Sequence, residues 1–291
     1  MQQPNAPLST LNVYQLQVLA NRSAHDLRKV QKELRVRRRR MLSRFFTDPG
    51  RFNATLERHS SVISGSFALN FLEGEGGWQA NDLDVYVPFE EFQSVRNYLV
   101  NAEGYQEDQE ETQRRHTRAE AAVMQHALAA HVVRDAEEAQ LLPPVETGIC
   151  QVASIYRDGK KIDVVQSRSS SALYAIAHFW STLQMNFLSA RGFSCAYPSL
   201  TFRRIGVINP LVQTSELMPR AYIDLLVPDA STPTTTYCVP PIYDHSKTIS
   251  RSQARSVANA TVAHLALLEA LSSLSGRWDG NWADIMMTEV A

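Results

Sequence analysis

Asn81-Asp82-Leu83-Asp84-Val85-Tyr86-Val87 is the stretch on which the reading of this chain turns. It ends in β-branched and aromatic residues, which predicts a strand, and alternate residues on a strand project from one face. Asp82 and Asp84 therefore point the same way. Carboxylates buried side by side repel, so each tends to hold its proton unless a cation lies between them. Ligands that are all oxygen suit Mg²⁺ or Mn²⁺, and Mg²⁺ usually binds through one or two carboxylates together with substrate phosphates. The pair implies a divalent ion and a nucleotide.

Upstream lies the complement to that pair. Ser60-Ser61-Val62-Ile63-Ser64 predicts a short strand, Gly65 a tight turn, and Phe67-Ala68-Leu69-Asn70-Phe71-Leu72 the start of a helix. Ser66 then stands at a helix N-terminus, where free backbone N–H groups and the helix dipole favour phosphate. Downstream, the apolar runs Ile149 to Tyr156 and Lys161 to Val165 flank Asp158-Gly159, a dipeptide suited to a two-residue hairpin turn. Asp163 interrupts the second run between Ile162 and Val164. Alone it reads as an exposed strand residue; beside a site that already needs a cation it reads as a third carboxylate.

Gly65-Ser66, Asp82-Leu83-Asp84 and Asp163 on a later strand resemble the nucleotidyltransferase superfold of polymerase-beta-like enzymes, over roughly Val62 to Gln166. That superfold includes tRNA nucleotidyltransferases, poly(A) polymerases and antibiotic-adenylating enzymes. Glu73-Gly74-Glu75-Gly76-Gly77-Trp78 reads as an insertion between the Gly-Ser element and the acids. Ser64-Gly65-Ser66-Phe67-Ala68-Leu69-Asn70-Phe71-Leu72, the Asp-x-Asp strand, and Phe179-Trp180-Ser181-Thr182-Leu183-Gln184-Met185-Asn186-Phe187 are similar to a group of fungal proteins of that superfold, a likeness that names no substrate. The resemblance implies an α/β (α+β) fold, a mixed sheet flanked by helices with additional helical segments. It implies transfer of a nucleotidyl group from a nucleoside triphosphate, ATP foremost, to an acceptor hydroxyl, RNA being one acceptor class. Asp82, Asp84 and Asp163 would be both the catalytic residues and the ligands of Mg²⁺ or Mn²⁺, and Gly65 and Ser66 would hold the triphosphate. Two other classes stay open: a catalytically silent member that binds nucleotide or another protein, and a nucleic-acid-binding module.

The last of these rests on the run Arg35 to Arg40. A helix is expected from about His25 to Phe46, with Leu27, Val30, Leu34, Met41 and Phe45 as a broken apolar stripe. Its arginines read first as a solvated face balancing a nearby acidic site, and second as a nuclear-targeting or phosphate-contacting patch. The run has no interleaved aromatics for stacking on bases.

The rest divides the chain into an N-terminal helical segment (1–58), a core (59–168) with a helical insertion (106–144), and a mainly helical C-terminal region (169–291). Phe89 to Val100 predicts a helix, Gln106 to Gln113 a loop, Thr117 to Gln140 a helix ended by Pro143-Pro144, and Ser171 to Ala190 a core helix. Trp180 and Phe187 in the last read as core before base-stacking residues. Pro228 to Pro241 reads as a loop and Ala254 to Leu274 as a final helix. His116, His126 and His131 fall in the insertion, and His126 and His131, five apart, have the wrong spacing for two ligands on one helix face. Lys160, Lys161, Arg203 and Arg204 are candidate triphosphate partners, each first a surface charge.

With 291 residues, 44% of them hydrophobic, and a net charge of −1, the chain can bury a large core, and its arginine run is a local patch of positive charge. Cys150, Cys195 and Cys238 are too far apart for a zinc motif and read as reduced thiols. No apolar stretch is long enough to span a bilayer, so the expectation is a cytoplasmic or nuclear protein without a membrane partner. Oligomeric state has no signature in the sequence.

Overall fold

The computed structural model describes residues 7–75, 78–115, 148–179 and 181–207, and the backbone of 236–238 and 276–277. It is a mixed α/β fold. Helices α1 (Val13–Ala20), α2 (Ala24–Leu42) and α3 (Pro49–Arg58) lead into β1 (Val62–Ser64) and α4 (Gly65–Glu73). Then come β2 (Asp82–Val87), α5 (Phe92–Asn101), β3 (Gln106–Glu107) and a helical run, α6, over 109–115. The hairpin β4 (Ile149–Arg157) and β5 (Lys160–Ser167) follows, then α7 (Leu173–Ala177), β6 (Asn186–Leu188), β7 (Gly192–Cys195) and α8 (Pro198–Thr201). Strands β8 (Ile205–Val207), β9 (Thr236–Cys238) and β10 (Gly276–Arg277) close the described chain.

The main sheet has eight strands in the order β10-β7-β6-β1-β2-β5-β4-β3. Within it β2 and β5 are the parallel pair, and the register sets Asp84 opposite Asp163. Every other described pairing in that sheet is antiparallel. A parallel pair needs a crossover connection, here the segment carrying α5 and β4. The β4–β5 turn is Asp158-Gly159 with φ of +50° and +71°, the doubly left-handed backbone whose twist matches a two-residue hairpin.

Strand alternation gives the sheet two unlike faces. Leu83, Val85, Ile63, Ile162 and Val164 enter the larger core, covered by α2, α3, α4 and α5 through Leu34, Phe52, Phe67, Phe71 and Leu99. The opposite face carries Asp82, Asp84 and Asp163 at one end, and at the other a smaller cluster of Val62, Tyr86, Val165, Ile176 and Phe187. The α7 helix lies on this second face, so the acids border a partly covered surface and are not sealed inside the main core.

Helix α2 starts at Ser23, whose Oγ accepts the Asp26 N–H at 3.1 Å. It buries Val30, Leu34, Met41 and Leu42, and also Arg37 and Arg38. This corrects the expectation of a solvated arginine face. The gap in the apolar stripe between Leu34 and Met41 is filled by Arg37, three residues after one and four before the other. Arg37 is 1% exposed and donates to the carbonyls of Leu8 (3.1 Å), Ser9 (3.2 Å), Leu11 (2.8 Å) and Phe71 (3.1 Å). The Phe71 carbonyl lies in the last turn of α4, where helix acceptors lack intrahelical partners. Arg38 donates to Ser189 O at 3.0 Å, and burial lowers its pKa to about 10. Only Arg35, Arg39 and Arg40 of the run face solvent.

Three further expectations change. Ser171 to Ala190 is not one helix: α7 stops at Ala177, and Asn186–Leu188 pairs with β1 and β7. That stretch belongs to the segment expected to be mainly helical, and its described part supplies strands β6 and β7. Gln106-Glu107 is an edge strand, and 109–115 is helical behind Asp108, whose Oδ1 accepts the Glu111 N–H at 2.9 Å. Thr236–Cys238, expected within a loop, pairs in parallel with β8. The helices expected over 117–140 and 254–274, the three histidines at 116, 126 and 131, and Trp180 lie outside the described residues. Among the described residues no helix is long and apolar enough to cross a membrane. Cys150 and Cys195 are free thiols, and burial pushes Cys195 up to about 12.

Candidate functional site

The acids and the Gly-Ser element meet where β1 turns into α4. Ser64 pairs with Asp84 across β1 and β2, so the next residue, Gly65, passes over that carboxylate. Its φ is +67°, and a Cβ built there would stand 2.2 Å from Asp84 Oδ2. Two demands thus converge on Gly65: a left-handed backbone, and clearance for a carboxylate. Ser66 follows at the first turn of α4 and donates from Oγ to Asp82 Oδ1 at 3.1 Å. Ser64 is fully buried and donates to Asn186 O at 2.5 Å, tying the turn to β6.

Asp82 and Asp84 are half-buried on the same face of β2, with Asp163 in register with Asp84 on β5. Asp84 keeps some solvent contact but is densely surrounded. Its pKa stands well above the ordinary carboxylate value, first through burial and then through the charges of Asp163 and Asp82, with Arg115 and Lys161 opposing. The site therefore carries more negative potential than its own cations offset at Asp84.

Asp163 is 3% exposed and fully engaged. Its Oδ1 accepts the Ser154 hydroxyl at 2.7 Å, while Oδ2 lies 2.9 Å from Arg115 Nη1 and 3.2 Å from Lys161 Nζ. Glu111 bridges the same two cations, at 3.2 Å from Arg115 and 3.1 Å from Lys161, and accepts the Tyr156 hydroxyl at 2.7 Å. The Tyr156 hydrogen bond first, then Lys161 and Arg115, hold the Glu111 carboxyl down to about 2. Arg115 loses some charge stability to burial, but Asp163, Glu111 and Asp84 outweigh this and raise its pKa.

Gly65, Ser66, Asp82, Asp84 and Asp163, all named from sequence, are thus brought to one end of one sheet face. Among the described residues no three Asp, Glu, His or Cys side chains converge as a ready metal-ligating group. The oxygens of Asp163 are turned to Ser154, Arg115 and Lys161 instead. The donor set still fits a hard divalent cation: carboxylate oxygens on adjacent strands, a hydroxyl, and the Asp84 carboxyl, whose pKa is raised first by burial and then by its acidic neighbours. Of the candidate phosphate partners, Lys161 faces the acids. Arg204 pairs with Glu73 at 3.1 Å, at the opposite end of α4 from Ser66, and Arg203 is exposed away from any ion pair among the described residues.

Sequence reasoning missed Ser154, Tyr156, Glu111 and Arg115. The first two had a readable signal. A two-residue turn at Asp158-Gly159 pairs Arg157 with Lys160, hence Ser154 with Asp163 and Tyr156 with Lys161, as observed. Arg115 and Glu111 had none, because their approach depends on how α6 crosses the hairpin.

Comparison with protein-family models, with curated proteins and with solved structures finds no match.

Proposed function

We propose that the chain is a metal-dependent nucleotidyltransferase that moves a nucleotidyl group from a nucleoside triphosphate to an acceptor hydroxyl. The observation that carries this reading is the seating of Gly65 against Asp84 while Asp84 stands in register with Asp163. It sets a helix N-terminus suited to phosphate beside a carboxylate pair with surplus negative potential. Asp82 and Asp84 would hold Mg²⁺ or Mn²⁺, with Asp163 completing the set toward the acceptor. A bound divalent ion would supply charge neutralisation at the phosphates and the leaving pyrophosphate. Gly65 and Ser66 would present backbone N–H groups to the phosphate tail, while the Ser66 hydroxyl donates to Asp82. Asp163 would orient the acceptor hydroxyl and take its proton once one of its present partners gives way.

One observation favours a second reading, a silent nucleotide-binding member. Asp163 is already ion-paired through Oδ2 to both Arg115 and Lys161, so that oxygen is committed to the protein's own cations. A single experiment separates the two. Purified protein is incubated with each labelled nucleoside triphosphate, Mg²⁺ or Mn²⁺, and RNA, protein and small-molecule acceptors, with an Asp82→Asn plus Asp84→Asn double variant as control. Pyrophosphate release and label transfer that vanish in the double variant support the transferase. Triphosphate binding without pyrophosphate from any acceptor class transfers the conclusion to the silent binder, and no triphosphate binding ends both.

A further inference from the structure

We propose that Arg115 is an exchangeable counter-cation of the acidic site: it occupies Asp163 in the metal-free protein and passes to the triphosphate when metal and nucleotide enter. The inference rests on the nucleotidyltransferase reading and assigns within it a triphosphate-binding residue outside the Gly-Ser element.

The contacts of Asp163 point to an exchange at Oδ2. One oxygen holds Ser154 at 2.7 Å and the other holds Arg115 at 2.9 Å and Lys161 at 3.2 Å. A metal ion can reach Oδ2 only by replacing one of those cations. The two are unequally free to leave. Lys161 lies on β5 itself, two residues before Asp163 on the same face, and its side chain is 20% exposed. Arg115 reaches in from α6, and its side chain is 38% exposed. On the outward side it already touches Glu111 at 3.2 Å, a second anion that keeps the guanidinium near the site once Asp163 is released.

The backbone behind Arg115 is held, so only the side chain needs to move. The Asp108 carboxylate accepts the Glu111 N–H at 2.9 Å, the Asp108 N–H donates to Ser154 O at 3.0 Å, and the Ser154 N–H donates to Thr112 Oγ1 at 3.1 Å. These bonds pin the first turn of α6 to β4, beside Asp163. A planar guanidinium with five donors suits phosphate oxygens as well as it suits a carboxylate. Charge accounting points the same way. Before metal enters, the arginine offsets Asp163, Glu111 and Asp84; afterwards the metal offsets the aspartates in its place, and the incoming triphosphate is the largest unpaired anion nearby.

The test is calorimetric titration of Mn²⁺ into the wild type, Arg115→Gln and Arg115→Lys, followed by a non-hydrolysable nucleoside triphosphate analogue with Mn²⁺ present. Because a competitor occupying a ligand lowers apparent affinity by the fraction of time the ligand is free, Arg115→Gln should bind Mn²⁺ about tenfold more tightly without nucleotide. Arg115→Lys, which keeps the charge but loses the fork, should also bind Mn²⁺ more tightly, by less. Both should bind the metal–triphosphate complex more weakly than wild type. If Arg115→Gln does not fold, the Arg115→Lys comparison decides. Mn²⁺ affinity unchanged in both variants while wild type binds Mn²⁺ overturns the exchange and leaves the metal reading standing. A gain in Arg115→Gln with none in Arg115→Lys leaves only a through-space charge effect and also overturns it. No Mn²⁺ binding by any of the three proteins, with or without triphosphate, removes the metal reading and the exchange together.

Discussion

Replacing Gly65 by alanine should separate what the residue does for the fold from what it does for the site. At φ of +67° an L side chain strains the backbone by about 1–2 kcal/mol, partly offset by about 0.4–1 kcal/mol from a stiffer unfolded chain. Gly159 supplies the control, with φ of +71° and no atom within 4 Å of an added Cβ. At Gly65 the new methyl would lie 2.2 Å from Asp84 Oδ2, against an ordinary contact of 3.4 Å or more. The colliding atom is the tip of a short side chain, so the carboxylate gives way before the backbone does, and it must retreat by more than an ångström. Gly65→Ala and Gly159→Ala should therefore lose similar stability, about 1 kcal/mol each in urea unfolding followed by circular dichroism. Their ligand binding should differ sharply. A displacement of about 1 Å in a positioned group can cost roughly a hundredfold, so Gly65→Ala should weaken Mn²⁺-dependent triphosphate binding by that order while Gly159→Ala leaves it intact. Wild-type triphosphate affinity in a folded Gly65→Ala protein would refute the seating of Gly65 on Asp84 as a functional feature.

The arginine run should divide by burial. Arg37→Gln strips four backbone carbonyls of their donor and should cost about 3–5 kcal/mol in urea unfolding, whereas the exposed Arg39→Gln should stay within about 0.5 kcal/mol; equal midpoints would show that Arg37 is not a buried tie. The Glu111 network should be visible in acid. A carboxyl held down to about 2 in the folded state contributes stability that is complete above the ordinary glutamate value and is lost as pH falls from there toward 2. Tyr156→Phe removes the largest cause of that shift, so its melting temperature should be lower than wild type at neutral pH and should fall by less between the ordinary glutamate value and pH 2. Superimposable profiles would mean that the Tyr156 hydroxyl does not hold Glu111.

Local chemistry made part of this protein readable before any coordinates. The β2 strand, the β1–Gly65–α4 turn and the β4–β5 hairpin each follow from neighbours in sequence: alternation at Leu83 and Val85, a glycine ahead of an apolar helix, and Asp158-Gly159 between two apolar runs. Those patterns also placed Asp82 and Asp84 on one face, while the mixed α/β class was implied by the family resemblance those motifs carry. What lay beyond reach depended on partners distant in the chain. Asn186–Leu188 is a strand because β1 and β7 flank it, although its composition also suits a helix. Arg37 is inward because the carbonyls of Leu8, Ser9, Leu11 and Phe71 meet around it, although its type belongs at the surface. Arg115 reaches Asp163 across 48 positions of sequence because α6 is pinned to β4 by Asp108, Thr112 and Ser154. Periodicity and turn chemistry act over a few residues, whereas desolvation, ion pairing and strand addition act between whichever surfaces the chain brings into contact, so the tertiary structure alone decided which charges stay in water and which close on the acids.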